Sequence, residues 1–325
     1  MSRALICGIS GQDGAYLAQL LLSRGYEVWG SSRDAEMNSF HNLRSLNIYD
    51  RVRLVSLNTS DLGSILSLLR SSQPYEVFSL AGQSSVGLSY EQPIETMQSI
   101  AQGTLNFLEA IRLSGKSIRF YNAGSTECFG DTGDGAADEE SPLRPRSPYA
   151  VAKASAFWTV QTYREAYGMF ACTGILSNHE SPLRPRRFVT RKIIHAVAML
   201  SLGNTAPLQL GNLNIERDWG WAPDYVNAIS RLLTQSAPSD YVIATGRSHT
   251  LTQFVEEAYR LIGKDWREYV TLDPSLIRPT DITHNKVDVS KAARELGWKP
   301  SHYMKDVVAA MLEAELRSIR SEQAH

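Results

Sequence analysis

Ala4-Leu5-Ile6-Cys7 runs directly into Gly8-Ile9-Ser10-Gly11-Gln12-Asp13-Gly14, and then into Ala15-Tyr16-Leu17-Ala18-Gln19-Leu20-Leu21-Leu22. A short apolar run, a turn with glycine at every third position and a segment of helical periodicity spell strand, tight turn, helix. The first two glycines permit the turn and let backbone N–H groups approach a pyrophosphate, and the helix start adds its positive dipole end. The order alone could describe only a turn. Here it is followed by a second strand-like run, Tyr26-Glu27-Val28-Trp29-Gly30, as a dinucleotide fingerprint requires. Gly8, Ser10, Gly11, Gln12, Asp13 and Gly14 are therefore the first candidate cofactor residues.

The alternation continues. Val52 to Leu57 leads through Asp61-Leu62 to a helix reaching Leu69, and Glu76 to Leu80 leads to Ala81-Gly82-Gln83-Ser84-Ser85. A helix is predicted from about Pro93 to Ser114, and further strands over Ser117 to Ala123 and Phe170 to Leu176. Strands alternating with helices predict an α/β fold with a doubly wound parallel sheet. Small residues at strand ends give a cofactor room, so Leu80, Ala81 and Gln83 join the candidates. Asp61, with Leu62 beside it, is placed to bond an adenine amine. The second strand ends in Ser31-Ser32-Arg33-Asp34. Arg33 suits a 2′-phosphate and Asp34 a free 2′-hydroxyl, so the reading leans to NADP with NAD as the alternative.

Composition excludes more than it specifies. A formal net charge of −1 over 325 residues gives no bias toward nucleic acid, and no apolar run is long enough to span a membrane. Cys7, Cys128 and Cys172 lack metal-ligand spacing, so no metal is expected. The N-terminus reads as a buried strand rather than a signal peptide, and the expected location is cytoplasmic.

Two stretches carry chemistry. Gly124-Ser125-Thr126-Glu127-Cys128-Phe129-Gly130 closes a strand, and ligands in open α/β sheets sit at the carboxyl ends of strands. A carboxylate there, shielded by Phe129, can serve as acid or base. Ser147-Pro148-Tyr149-Ala150-Val151-Ala152-Lys153 opens a helix with Tyr149 and Lys153 one turn apart on one face. The ammonium is expected to favour the phenolate. Farther on come Asn178-His179-Glu180-Ser181-Pro182, the basic loop Arg184-Pro185-Arg186-Arg187, Gly211-Asn212, Arg217-Asp218-Trp219-Gly220-Trp221 and Arg278-Pro279-Thr280-Asp281. Arginine in three separate segments suits a substrate that carries phosphates. Val308, Leu312, Leu316 and Ile319 recur at helical spacing and predict a core-facing final helix.

The glycine turn, the Ser/Thr strand end and Tyr-x-x-x-Lys together resemble the extended short-chain dehydrogenase/reductase family. Within it the chain is similar to the GDP-mannose 4,6-dehydratases from about residue 3 to residue 320. Gly8 to Gly14, Arg146 to Lys153, Asn178 to Pro182, Phe188 to Lys192, Arg217 to Gly220 and Leu296-Gly297-Trp298-Lys299-Pro300 carry the likeness. The resemblance implies a Rossmann-type domain over 1–177, with a return at about 213–235. A smaller mixed α/β domain over 178–325 would bind the sugar nucleotide. It implies Ser125, Glu127, Tyr149 and Lys153 as catalytic, Lys153, His179 and Arg184 at the cofactor, and Ser84, Asn178, Val189, Lys192, Gly211, Arg217, Arg278 and Asp281 around a GDP-sugar. It also implies homodimers or homotetramers, and conversion of GDP-mannose to GDP-4-keto-6-deoxymannose for fucose- or rhamnose-type sugars.

Three segments depart from the family pattern. Arg33 is followed by Asp34-Ala35-Glu36 rather than a second arginine and serines, Leu183-Arg184-Pro185-Arg186 lacks the usual glycine, and Asp281 replaces a glutamate. Another GDP-hexose or heptose is thus an alternative substrate. A 4-epimerase needs no base at C5, so Glu127 speaks against one. Thr126 stands where dehydratases of TDP- or UDP-sugars tend to have Asp. A catalytically silent NADP-sensing protein would tend to lose Tyr149 or Lys153.

Overall fold

The computed structural model describes residues 2–323. The first half is β1 (Arg3–Cys7), α1 (Gln12–Ser23), β2 (Glu27–Ser32), α2 (His41–Ser45), β3 (Arg53–Ser56), α3 (Leu62–Ser72), β4 (Glu76–Ser79), α4 (Val86–Glu91), α5 (Pro93–Met97), α6 (Gly103–Ser114) and β5 (Arg119–Ala123). Then follow α7 (Pro148–Tyr167), β6 (Ala171–Leu176), β7 (Asn178–Glu180), α8 (Val189–Ser201), β8 (Leu208–Leu210), β9 (Glu216–Trp221) and α9 (Ala222–Leu232). The remainder is β10 (Tyr241–Ile243), β11 (Ser248–Thr250), α10 (Leu251–Arg260), β12 (Val270–Leu272), α11 (Ser290–Glu295) and α12 (Met304–Gln323).

Seven strands form one sheet in the order β10-β6-β5-β4-β1-β2-β3. Every pairing in it is parallel. β1 and β4 run side by side, where the chain reverses its direction of travel across the sheet, so their carboxyl ends open the crevice in which such sheets bind ligands. The strands are apolar on both faces because helices cover both. On one face α1 and α9 bury Leu17, Leu21, Tyr225 and Ile229, and on the other α3 and α6 bury Ile65, Leu69, Phe107 and Ile111.

The helix predicted over 93–114 is α5 and α6 joined by a π turn at Gln98–Gln102. One extra residue per turn re-aims side chains, and Gln98 and Ser99 line the crevice there. The sheet's last strand, β10, comes from beyond the 213–235 return and pairs with β6. The C-terminal region builds its own core from α8, α10 and α12, including Ile193, Val197, Phe254, Val308 and Leu312. It also carries the small sheet β11-β9-β7 and the pair β12-β8. Since β7 follows β6 after a single residue, the two regions meet at the carboxyl ends of the large sheet.

Candidate active site

Two of the turn's glycines, Gly8 and Gly14, leave no room for a side chain. Gly8 has φ of +84°, and a Cβ there would lie 2.9 Å from the Ala81 backbone nitrogen. A Cβ on Gly14 would collide with the Gly8 carbonyl. Gly11 caps α1, whose first residues line a cleft of about 860 Å³. Gly8, Ser10, Gly11, Gln12, Asp13, Gly14, Arg33, Leu80, Ala81 and Arg184 all line it, with Ser32, Asn58, Thr59 and Arg187. Backbone donors, a helix start and three arginines at one crevice fit a dinucleotide's phosphates.

Five expected cofactor residues are not in that lining: Lys153 and His179 line the neighbouring cleft, and Asp61, Leu62 and Gln83 line neither. Asp61 is the N-cap of α3, accepting from Gly63 N, Ser64 N and the Ser64 hydroxyl. Those bonds, the Ser64 hydroxyl foremost, hold it below the usual carboxylate range. Leu62 goes with that helix. Gln83 turns inward, donating to Ser85 O at 2.8 Å and to the Thr96 hydroxyl at 3.3 Å. Asn58, Thr59 and Ser60 occupy the cleft where Asp61 was expected. Asp34 likewise closes its own turn, accepting from Glu36 N and Met37 N at 3.0 Å each.

A second cleft of about 390 Å³ continues from the first past Asp13, Leu80, Ser84, Arg184 and Phe188. Ser84, Ser125, Glu127, Tyr149, Lys153, Asn178, His179, Val189, Lys192, Gly211, Arg217, Arg278 and Asp281 all line it. Ser125 caps the 3₁₀ turn after β5, accepting from Glu127 N, and so presents Glu127 to the cleft. Ser147 caps α7 by accepting from Ala150 N at 3.1 Å, and Pro148 fixes the first turn. Tyr149 follows at once, packed against Ile100 and Val86.

The expected influence of Lys153 on Tyr149 is corrected here. Burial raises the Tyr149 phenol above its ordinary value, and the bond to the Ser125 hydroxyl offsets only part of that. Lys153 donates to Ala123 O at 2.6 Å, and its Nζ stands 5.7 Å from the Tyr149 ring centre. Burial pulls the Lys153 ammonium down to about 8.

A clasp joins the glycine turn to β7. His179 Nδ1 is 2.7 Å from Ser177 O and Nε2 is 2.9 Å from Asp13 Oδ2. Both partners only accept, so both ring nitrogens carry protons. Burial opposes the charge on His179, but the Asp13 carboxylate outweighs it and the imidazole is raised. Asp13 is correspondingly lowered, its burial outweighed by His179. Gln12 adds a bond from Nε2 to His179 O at 3.1 Å and receives one from the Ser181 hydroxyl at 2.7 Å.

A model of the family described as GDP-mannose 4,6 dehydratase matches residues 5–311. The chain belongs to this family. It is 42% identical to GDP-mannose 4,6 dehydratase 1 of Arabidopsis thaliana, covering 98% of this chain and 91% of that one. Against the GDP-mannose 4,6-dehydratase of Sinorhizobium fredii (strain HH103) the identity is 41%, covering 98% and 97%. Among solved structures it is similar to the dTDP-glucose 4,6-dehydratase of Streptomyces venezuelae with NAD bound, at 25% identity and a TM-score of 0.86 over 98% of each chain.

In this GDP-mannose 4,6-dehydratase family member, two residues that brace the clefts, Asn285 and Glu180, escape sequence reasoning. Asn285 is buried and donates to Thr126 O at 2.9 Å, bracing the turn that carries Glu127. Nothing about a lone asparagine in a polar loop announces that role. Glu180 lies inside the quoted Asn178–Pro182 stretch. It accepts from the Thr190 hydroxyl at 2.8 Å and pairs with Arg184 at 3.2 Å, holding the basic loop against the cleft. Gly211 lets the segment bearing Arg278 and Asp281 cross closely, since a Cβ there would lie 2.9 Å from Leu276 O.

Proposed function

We propose that the chain is a GDP-mannose 4,6-dehydratase, forming GDP-4-keto-6-deoxymannose by internal oxidation, loss of water and reduction. The supporting observation is that a carboxylate (Glu127), a phenol (Tyr149), a hydroxyl (Ser125) and an ammonium (Lys153) share one cleft continuous with the glycine-turn cleft. Lys192, Arg217 and Arg278 supply cations for a diphosphate along the same wall.

A nicotinamide dinucleotide held by the turn from Gly8 to Gly14, Arg33 and Arg184 supplies a reversible hydride acceptor. We favour NADP, because Arg33 lines the cleft while Asp34 is committed to its own turn. Tyr149 takes the proton of the sugar 4-hydroxyl, and Ser125 bonds the 4-oxygen. A phenol raised by burial is a poor base, so this deprotonation belongs to the loaded site. The 4-ketone acidifies C5–H. Glu127 removes that proton, the C5–H electrons form the C5–C6 double bond, and the C6–O bond breaks. Glu127 then returns the proton to the departing hydroxyl, which leaves as water. Oxidation at C4 and reduction at C6 cancel, and the proton count closes when C5 regains a proton in place of the one Tyr149 took from the 4-hydroxyl.

Supporting features also suggest the setting. Leu105 and Leu113 on α6 and Val151, Trp158 and Tyr167 on α7 leave apolar side chains exposed, a surface suited to a second copy in a dimer or tetramer. The three cysteines are free and buried, in keeping with the cytoplasm. The test is incubation with GDP-mannose and no added cofactor, following loss of one water by mass. Water loss from another nucleotide sugar but not from GDP-mannose would replace the substrate.

A further inference from the structure

The turn that presents Glu127 is held from outside by a side chain of the C-terminal region. Asn285 is buried, with 2% of its surface exposed. Its Nδ2 donates to Thr126 O at 2.9 Å and to Gly130 O at 3.5 Å, so one amide spans the turn from its first residue to the glycine that ends it. Thr126 O belongs to the peptide that enters Glu127, and the N–H of that same peptide donates to Ser125 Oγ at 3.3 Å. The peptide plane before Glu127 is therefore gripped at both edges, and the direction of the Glu127 side chain follows from that plane. Arg144 N bonds Cys128 O at 2.8 Å on the far side of Glu127.

Asn285 is itself anchored on two sides. His284 O accepts from Thr132 N at 3.0 Å, Lys286 N donates to Thr132 Oγ1 at 2.9 Å, and Lys286 O accepts from Ala137 N at 3.0 Å. On the other side Thr283 O accepts from Glu216 N at 2.7 Å, and Ile282 O accepts from Arg217 Nη1 at 2.9 Å. Residues 282–286 thus form a strap laced both to the loop that follows the turn and to β9. The strap continues from Arg278 and Asp281, which line the second cleft.

We propose that Asn285 is a positioning residue for the base: it sets the aim of Glu127 at C5, and so serves elimination without serving oxidation at C4. This rests on the dehydratase reading with Glu127 as its base. Glu127 must take the proton from C5 and then deliver it to the 6-hydroxyl, so its carboxylate has two targets and little tolerance for a tilted peptide. A misplacement of about 1 Å at a reacting group costs about 10²-fold in rate. Without the Asn285 amide, Thr126 O is a buried carbonyl that has lost its donor, and the turn keeps only the Ser125 edge of its grip. Tyr149 and Lys153, which act at C4, are placed by α7 and its Ser147 cap instead.

The experiment makes Asn285→Ala in the wild type and again in Glu127→Gln, with GDP-mannose as substrate. In the wild type, Asn285→Ala should lower kcat for water loss about 10- to 100-fold with KM little changed. In Glu127→Gln, where elimination is already blocked, it should leave the rate of cofactor reduction unchanged within about twofold, the scatter of independent effects. A purely structural role would lower cofactor reduction and water loss alike. Equal losses in the two readouts, or undiminished water loss, overturn the proposal, as does a Glu127→Gln enzyme that reduces no cofactor. Asn285→Ser, whose hydroxyl stops short of Thr126 O, carries the same test if Asn285→Ala does not fold. A wild type that releases no water from GDP-mannose overturns the functional reading itself, a different failure.

Discussion

Glu127 and Lys153 separate two kinds of chemistry within one cleft, and each makes its own prediction. Glu127→Gln keeps the volume and the cap from Ser125 but removes the base. Dehydration should fall 10²- to 10⁴-fold, the usual range for losing a general base, while oxidation at C4 persists and shows as reduced cofactor by absorbance. Undiminished water loss in that variant would end the assignment. Lys153 is lowered to about 8 by burial, so its charge disappears as pH rises through that value. Activity that needs the ammonium should decline above about pH 8. Lys153→Arg, which cannot titrate there, should lack that limb at whatever residual rate it retains. The residue types of Ser125, Glu127, Tyr149 and Lys153 were legible in the sequence because a strand end and a helix start announce where they point. The direction of the Tyr149 shift was not. It depends on burial, which comes only from tertiary packing such as the apolar cluster Tyr149 shares with Ile100. Asp61 has a local role that its position before a helix implies: a carboxylate there caps the helix.

Between elements, the contact to test is the clasp of α1 on β7. His179 is raised above its ordinary 6.5, so its contribution to stability is complete below 6.5 and is lost as pH rises through the folded value. Asp13 is lowered from 3.8, so its contribution is complete above 3.8 and is lost as pH falls through the folded value. The clasp is therefore strongest between those two pH values. Asp13→Asn should cost about 1–3 kcal/mol near pH 6, the range for leaving a buried partner unsatisfied. It should also flatten the loss of stability above pH 6.5. Denaturant melts at pH 6 and pH 8.5 would show it, and an unchanged pH dependence would remove the clasp from the account. The elements themselves were readable where apolar periodicity ran for several residues, as in β1, α1 and α7. β7, with three residues and polar side chains, was not readable as a strand. Its strand character comes from parallel pairing with β9, some forty residues away.

The whole molecule places its site between two cores, one around the seven-stranded sheet and one around α8, α10 and α12. The sheet and its direction followed from alternating strands and helices, whereas the edge strand β10 is too short to register in sequence and is recruited by β6. Because the dinucleotide cleft is walled by α1 on one side and by the basic loop at Arg184 and Arg187 on the other, a ligand that fills it ties the two cores together. A ligand that binds only the folded state stabilises it by mass action, by about 2.7 kcal/mol at a hundred times its Kd. Arg33 is the one cleft residue placed after β2 whose charge can tell a 2′-phosphate from a hydroxyl, and its pairing with Glu95 is exposed and easily exchanged. At equal concentration NADP should raise the melting midpoint more than NAD does. Arg33→Ala should erase most of that difference while leaving the effect of NAD in place. Equal shifts from both dinucleotides in the wild type would mean that Asp34 gives up its turn to bind the ribose and that the preference for NADP is mistaken.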